Sequence, residues 1–247
     1  DLNSGARRGY LQFAQPLRAA PAVYRTNERL YLTGDHSSLY SILLKDLSCL
    51  GVYYLGQTEG SVVKSPAAVM DKVAVLENDG IETSRLRLLS LGDNGAVTSQ
   101  TAERRLTGLA STSPYISGRR MVVITDRGQI DAYDIGSGEG EEPLTVVATR
   151  AAPSNKPLVR YAALADKNIW IGDTQLTKYS ILPTGNRLPV EPIENNFTGA
   201  TFDHPLALFG DTIITARRPK GRAGVVVAAT ATAQGRTHWE TDLAIPP

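Results

Sequence analysis

The stretch from Ser113 to Ile135 decides the fold, and it reads Ser-Pro-Tyr-Ile-Ser-Gly-Arg-Arg-Met-Val-Val-Ile-Thr-Asp-Arg-Gly-Gln-Ile-Asp-Ala-Tyr-Asp-Ile. Residues 115–116 begin a short strand, which ends in a turn that contains Gly118. Residues 121–125 form an apolar run, and residues 129–135 alternate between apolar and polar side chains. This succession predicts a meander of antiparallel strands joined by tight turns.

The same outline recurs along the chain at nearly constant spacing. Equivalent units begin at Pro21, Pro66, Pro114, Tyr161 and Pro205, which are 45, 48, 47 and 44 residues apart. A further strand follows each meander, for example at residues 144–149 in the third unit. Four strands in a repeat of this length are typical of the blades of a β-propeller, whereas a β-sandwich has no reason to repeat one outline. The sequence therefore predicts an all-β fold, a β-propeller of four-stranded antiparallel blades, with about five blades in this chain.

Length and composition set the expected domain organisation. The chain has 247 residues, of which 42% are hydrophobic, 22 are Gly and 14 are Pro. We expect residues 16–247 to form the propeller domain, with blades starting near 21, 66, 114, 161 and 205. Residues 1–15 are predicted to be a terminal segment or the outer strand of a preceding blade. The chain begins at Asp1 without a signal peptide, so we expect a piece of a longer product that completes a seven- or eight-bladed propeller. No apolar run reaches the roughly 18 residues of a membrane span.

Two segments resemble the repeat of pyrroloquinoline-quinone-like β-propellers. They are residues 113–135, with Ser-Pro, Asp-x-Gly and Ala-Tyr-Asp in order, and residues 235–243, which begin with the Gly-x-x-x-Trp docking pattern. Only Trp239 occupies that docking position, so the repeats are degenerate. Residues 131–135 also resemble the end of a WD40 repeat, although no Gly-His pair precedes them. WD-type propellers are therefore the alternative to the quinoprotein-like repeat.

The resemblance implies either of two functions. Such repeats build binding scaffolds, including the outer-membrane assembly lipoprotein family, and also quinone-dependent dehydrogenases. We expect a non-catalytic scaffold that presents a rigid face for protein or ligand binding in a periplasmic or other extracytoplasmic compartment, with no cofactor. The alternative is a fragment of a quinone-dependent dehydrogenase or a sugar-directed propeller enzyme whose active-site residues lie partly outside this chain. Only that alternative requires pyrroloquinoline quinone with calcium, and the single Cys49 excludes the adjacent cysteine pair that those dehydrogenases often carry.

The residues just before each unit are the candidate partner-binding residues. In a propeller the innermost strands all enter from one face near the axis, so the residues before them form a ring around the channel mouth. This ring is predicted to contain Ala20 and the four polar candidates Ser65, Ser113, Arg160 and His204. We hypothesise that Arg160 and His204 give the ring a positive character that suits a polar or anionic partner. The simpler interpretation is that these are hydrated loop residues.

Charge and histidine content limit the other sites. The formal net charge of +1 lacks the positive excess of a nucleic-acid-binding surface. The expected partner is therefore another protein, a polar or anionic ligand, or the remaining part of the same propeller. His36, His204 and His238 lie in different repeats without ligand spacing, so no metal site is predicted. The basic loop at residues 217–224 is a second place at which the repeats differ and a partner could bind.

Overall fold

A computed structural model of the chain describes residues 9–13, 15–24, 28–56, 61–138, 140–153, 156–182 and 186–243. These residues form five antiparallel β-sheets, which we number as blades I to V in chain order. The predicted all-β fold with five four-stranded blades is confirmed. In this part of the chain, no helix combines the length and the apolar character needed to cross a membrane.

Blades I and II are meanders in which each strand pairs with the next. The strands of blade I are β1 (Ala22–Tyr24), β2 (Arg29–Thr33), β3 (Ser38–Leu43) and β4 (Cys49–Tyr54). The strands of blade II are β5 (Ala67–Val69), β6 (Lys72–Asn78), β7 (Thr83–Leu91) and β8 (Val97–Thr107).

Blade III contains the stretch that decided the prediction. Its strands are β9 (Tyr115–Ser117), β10 (Arg120–Ile124), β11 (Ile130–Ile135) and β12 (Leu144–Arg150). Each of their bounds lies within one residue of the bounds expected from the sequence, because the apolar runs and the turn residues mark both ends of every strand.

Blades IV and V follow the same order, with one interruption. The strands of blade IV are β13 (Tyr161–Ala165), β14 (Asn168–Gly172), β15 (Leu176–Ser180) and β16 (Val190–Glu191). The strands of blade V are β17 (Thr201–Phe202), β18 (Ala207–Phe209), β19 (Thr212–Arg218), β20 (Val225–Ala231) and β21 (Thr237–Leu243). Both β17 and β18 pair with β19, at its opposite ends, so together they take the place of the first strand.

The chain divides into two compact units. Unit 1 comprises Asp1–Gly80 and Ser84–Arg105, which hold blade I and most of blade II. Unit 2 comprises Ile81–Thr83 and Leu106–Pro247, which hold blades III, IV and V. Of the terminal segment predicted at 1–15, residues 1–8 and 14 lie outside the described residues, and the others belong to no strand.

Within each unit the blades pack face to face through apolar side chains. In unit 1, Tyr31 of blade I packs with Val73 and Leu89 of blade II. In unit 2, Val122 of blade III packs with Ile169 and Ile171 of blade IV. The neighbouring residue Trp170 points to the other face of blade IV, where it is fully buried against Phe202, Leu206 and Ile213 of blade V. Blade IV is therefore buried on both faces, which explains why β13 and the centre of β14 are apolar on both sides.

A backbone hydrogen bond at the same position joins the first turn of every blade to the end of its third strand. The carbonyl oxygen of the residue before the second strand accepts a bond from a backbone N–H at the end of the third strand. The five donor and acceptor pairs, at 2.8–2.9 Å, are Leu44 to Glu28, Leu91 to Asp71, Ile135 to Arg119, Ile181 to Lys167 and Thr232 to Asp211. We call this contact the turn clamp. It uses only backbone atoms, so the side chain at the accepting residue is free to vary.

The first turn of blades II to V has two residues, and the first of them is left-handed. The φ angles are 51° at Met70, 58° at Gly118, 53° at Asp166 and 59° at Gly210. Glycine adopts this conformation without steric cost, whereas other L-residues are strained by it. The glycines of the Ser-Gly-Arg and Phe-Gly-Asp turns therefore favour the hairpin geometry directly.

We expect Gly118→Ala to lower the free energy of unfolding by about 1 kcal/mol, because alanine must adopt a left-handed φ. Steric crowding is not the cause, since nothing lies within 4 Å of an added Cβ. Urea denaturation measures the loss. Gly118→Asn is the matched control and should lose less than the alanine variant, because asparagine tolerates this conformation. Equal losses for alanine and asparagine contradict the explanation.

Candidate functional site

The four predicted partner-binding residues do not occupy one equivalent position. Counted back from the last residue of the first strand, Ser65 and Ser113 lie four residues away, whereas Arg160 and His204 lie five residues away. The offset arises because strand pairing makes Ala162, not Tyr161, equivalent to Pro114. Successive residues of an extended chain point to opposite sides, so a one-residue offset changes where a side chain is directed. Ser65 belongs to unit 1, and the other three residues belong to unit 2.

Arg160 is buried between blades III and IV. Its side chain donates hydrogen bonds to the carbonyl oxygens of Asp126 and Leu158 and forms an ion pair with Asp173, at 3.3 Å between Nε and Oδ2. Gly128 lies against the guanidinium, where an added Cβ would approach Cζ to 3.1 Å. Only 6% of Arg160 is exposed. Its charge is thus balanced by Asp173, and its donors hold the turn before β11 against the segment before β13.

His204 lies at the surface beside an acidic residue that already has a cationic partner. Asp203 forms an ion pair with Arg218 at 2.7 Å, and its other carboxylate oxygen is 3.5 Å from Nε2 of His204. The hydroxyl of Tyr161 donates to the carbonyl oxygen of Asp203 at 3.0 Å. Ser65 and Ser113 are half-buried, and Ala20 is exposed. Partner binding by Ser65, Ser113, Arg160 and His204 stays a prediction, with His204 the most accessible of the four.

Tyr115 is another polar side chain at the seam of blades III and IV. Its hydroxyl accepts a hydrogen bond from the backbone N–H of Ala162 at 2.9 Å. Burial raises the pKa of the Tyr115 hydroxyl above its usual range, because the phenolate form would lose its hydration. The hydroxyl therefore stays protonated at neutral pH and links the two first strands β9 and β13.

The basic loop at residues 217–224 is largely neutralised. Arg217 is buried, lies over the ring of Phe197 at 3.8 Å and pairs with Glu240 at 2.7 Å. Arg222 pairs with Asp242 at 3.4 Å. Across the described part of the chain, no three His, Cys, Asp or Glu side chains are grouped so that they could hold a metal ion.

One face of blade V carries large exposed apolar side chains. Strand pairing places Ala207, Ile214, Ala229 and Trp239 in one row on this face. Alternation along the strands adds the following residues to the same face: Phe209, Ala216, Val225, Val227 and Leu243. Phe209 is 68% exposed, Trp239 49% and Leu243 50%. We call these nine residues the open face of blade V, because Phe209, Trp239 and Leu243 on it are exposed, although Ala229 is buried.

The sequence analysis identified Trp239 as a docking residue but missed the open face. In blade IV the equivalent of Ile214 is Trp170, which blade V buries completely. Both strands have adjacent apolar residues that point to opposite faces, Ile169 and Trp170 in β14 and Ile213 and Ile214 in β19. The sequence of one blade therefore carries no signal about whether a neighbour covers either face. Only the packing of consecutive blades distinguishes a covered face from an open one.

Comparison with solved structures shows that the fold is a β-propeller. The chain is similar to BamB from Moraxella catarrhalis, with a TM-score of 0.59 and 17% identity over 92% of this chain and 65% of that one. It is also similar to the β-propeller domain of Cps50 (Swd1) from Myceliophteria thermophila. That similarity has a TM-score of 0.58 and 10% identity, and it covers 94% of this chain and 74% of the other. The chain thus spans slightly less than two thirds of the length of BamB.

These similarities establish the fold and leave the repeat type open. At 10–17% identity the two structures share an architecture with this chain, without residue-level correspondence of function. No family model matches the sequence. No curated protein matches it either.

We expect Arg160→Met to lower the free energy of unfolding by about 2 kcal/mol, because it removes the ion pair with Asp173 and two hydrogen bonds from the buried guanidinium to backbone carbonyl oxygens. The side chain of Asp173 is 20% exposed, which limits the loss. His204→Ala is the control and should change stability by less than about 0.5 kcal/mol, because His204 is exposed. Urea denaturation of both variants measures the difference. Equal stability of the two variants contradicts a structural role for Arg160.

Proposed function

We propose that the chain is a non-catalytic β-propeller scaffold that presents the open face of blade V to a protein partner. The single observation that carries the proposal is the exposure of Phe209, Trp239 and Leu243 on one face of blade V. Large exposed apolar patches on folded proteins mark interaction sites, and buried tryptophan side chains contribute strongly to binding. Each residue of this face that a partner removes from water adds to the binding free energy.

The kind of partner follows from the way in which the blades already pack. Blade V lays one apolar sheet face over Trp170 of blade IV, and Ile213 is fully buried in that contact. The open face is equivalent to the face of blade IV that contains Trp170. The partner that fits it is therefore another apolar β-sheet face, supplied by a second protein or by the remaining part of the same propeller.

The repeat type and the compartment belong to the same proposal. The Ser-Pro, Asp-x-Gly and Gly-x-x-x-Trp patterns support a pyrroloquinoline-quinone-like repeat of the scaffold type. A periplasmic or other extracytoplasmic location is inferred from that resemblance. Pyrroloquinoline quinone and calcium belong only to the alternative, in which the chain is part of a quinone-dependent or sugar-directed enzyme.

We expect a photoreactive amino acid in place of Phe209 to give a discrete crosslinked product with another protein in cells that produce the chain. The same amino acid in place of Ile81, which is 88% exposed, is the control and should give none. Leu243→Glu should reduce the product at position 209 by at least about 10-fold, because a carboxylate is costly to bury at an apolar interface. Gel electrophoresis and mass spectrometry identify the product. Its absence at position 209, or an equal yield at position 81, contradicts the proposal.

A thermal-shift measurement separates the scaffold from its enzymatic alternative. We expect no change in melting temperature when pyrroloquinoline quinone and calcium chloride are added together. A ligand that binds the folded state must raise the melting temperature with its concentration. Calcium chloride alone is the control for non-specific salt effects. A rise that depends on the quinone concentration favours the enzymatic alternative and contradicts the scaffold.

A further inference from the structure

A groove opens at the seam of blades III and IV, at the end of the blades that carries the first turns. Its volume is about 440 Å³, which lies in the range of pockets that hold small ligands or a few peptide side chains. The residues that determine its chemistry are Arg120, Asp134, Val146, Lys167, Ile181 and Leu182. The four predicted partner-binding residues lie at the opposite ends of the first strands.

An equivalent groove lies between blades I and II in unit 1, with a volume of about 330 Å³. Arg29 and Arg120 are each the first residue of a second strand. Asp71 and Lys167 are the carbonyl acceptors of the turn clamp in the adjoining blade, and their donors Leu91 and Ile181 also line the two grooves. The two grooves are therefore built from the same structural positions.

The charges of the two grooves differ. In the seam of blades III and IV, Arg120 forms a two-pronged ion pair with Asp134, at 2.9 and 3.0 Å. Lys167 is exposed, and its ammonium group has no ion-pair partner among the described residues. Arg120, Lys167 and Asp134 thus leave this groove with one excess positive charge. In the groove of unit 1 the charged lining residues are Arg29, Asp71 and Asp93. Asp71 is paired with Lys72 at 2.8 Å, so this groove has no excess positive charge.

The apolar half of the groove is accessible as well. Val146 on β12 is 38% exposed, and Leu182 after β15 is 41% exposed. Ile181 forms the floor between them and is buried in the core of the two blades. A ligand that enters the groove therefore meets aliphatic side chains next to a free ammonium group.

We propose that the groove between blades III and IV binds an extended peptide segment of a partner protein in which a carboxylate lies next to aliphatic side chains. Lys167 pairs with the carboxylate, and the Nη1 atom of Arg120, which Asp134 leaves unused, donates a second charge-assisted hydrogen bond. Val146 and Leu182 cover the aliphatic side chains. This site is separate from the open face of blade V, so either can fail without the other.

The test uses a fluorescein-labelled peptide amide, Leu-Val-Glu-Val-Leu, and measures its dissociation constant by fluorescence anisotropy. The Leu-Val-Gln-Val-Leu amide is expected to bind at least about 10-fold more weakly, because it lacks the charge. Lys167→Asp, which copies the equivalent position of unit 1, should weaken binding of the acidic peptide by about 10-fold or more. Val146→Ser should weaken both peptides, because it removes part of the aliphatic surface.

The matched control is Lys220→Asp, the same change at an exposed lysine outside both grooves, which should leave binding of the acidic peptide unchanged. Circular dichroism and melting temperature show whether each variant folds. Lys167 is exposed, so we expect its substitution to leave the fold intact. The proposal is overturned if the acidic peptide does not bind, if its binding is unchanged in Lys167→Asp, or if the glutamine peptide binds with equal affinity. Displacement of the peptide by inorganic phosphate at equal concentration also overturns it, since the groove would then be a general anion site.

Discussion

The structure of unit 2 depends on the burial of both faces of blade IV against its neighbours. Blade IV directs Ile169 and Ile171 to one side and Trp170 to the other, and all three are buried only because blades III and V flank it. One four-stranded sheet cannot bury two apolar faces, so repeat architectures gain their stability from contacts between consecutive units. The open face of blade V follows from the same constraint. It is an ordinary blade face on which Phe209, Trp239 and Leu243 remain exposed.

The turn clamp explains how degenerate repeats can keep one fold and still acquire different surfaces. The clamp uses the carbonyl oxygen of the residue before the second strand, so the backbone contact is the same for Asp71, Arg119, Lys167 and Asp211. The side chains of Asp71 and Lys167 at this position line the two grooves between blades. Substitution of the accepting residue changes the charge of a groove without disturbing the backbone hydrogen bond between the first turn and the third strand. The opposite charges of Lys167 and Asp71 are an example.

Several polar residues that attract attention in the sequence stabilise the fold. Asp131, in the segment that resembles a WD40 repeat, is buried and accepts hydrogen bonds from Thr149, Tyr133 and Gln129. Arg160 is held in the same way by Asp126 and Asp173. Buried polar groups need such partners. The partners lie between 2 and 34 residues away in the chain, so local sequence patterns do not reveal which polar residues are already engaged.

The sequence by itself determined the class of fold, the number of blades and the strand bounds of blade III, because alternation, turn residues and the 44–48-residue spacing are local and repeat along the chain. Tertiary structure decided everything that depends on neighbouring strands and blades. Strand register separated Ser65 and Ser113 from the position of Arg160 and His204, since a one-residue shift redirects a side chain. Packing decided which apolar face is buried and which remains open at Trp239. The charge of each groove depends on which side chains of two consecutive blades lie next to each other. The sequence of one blade alone does not specify these contacts.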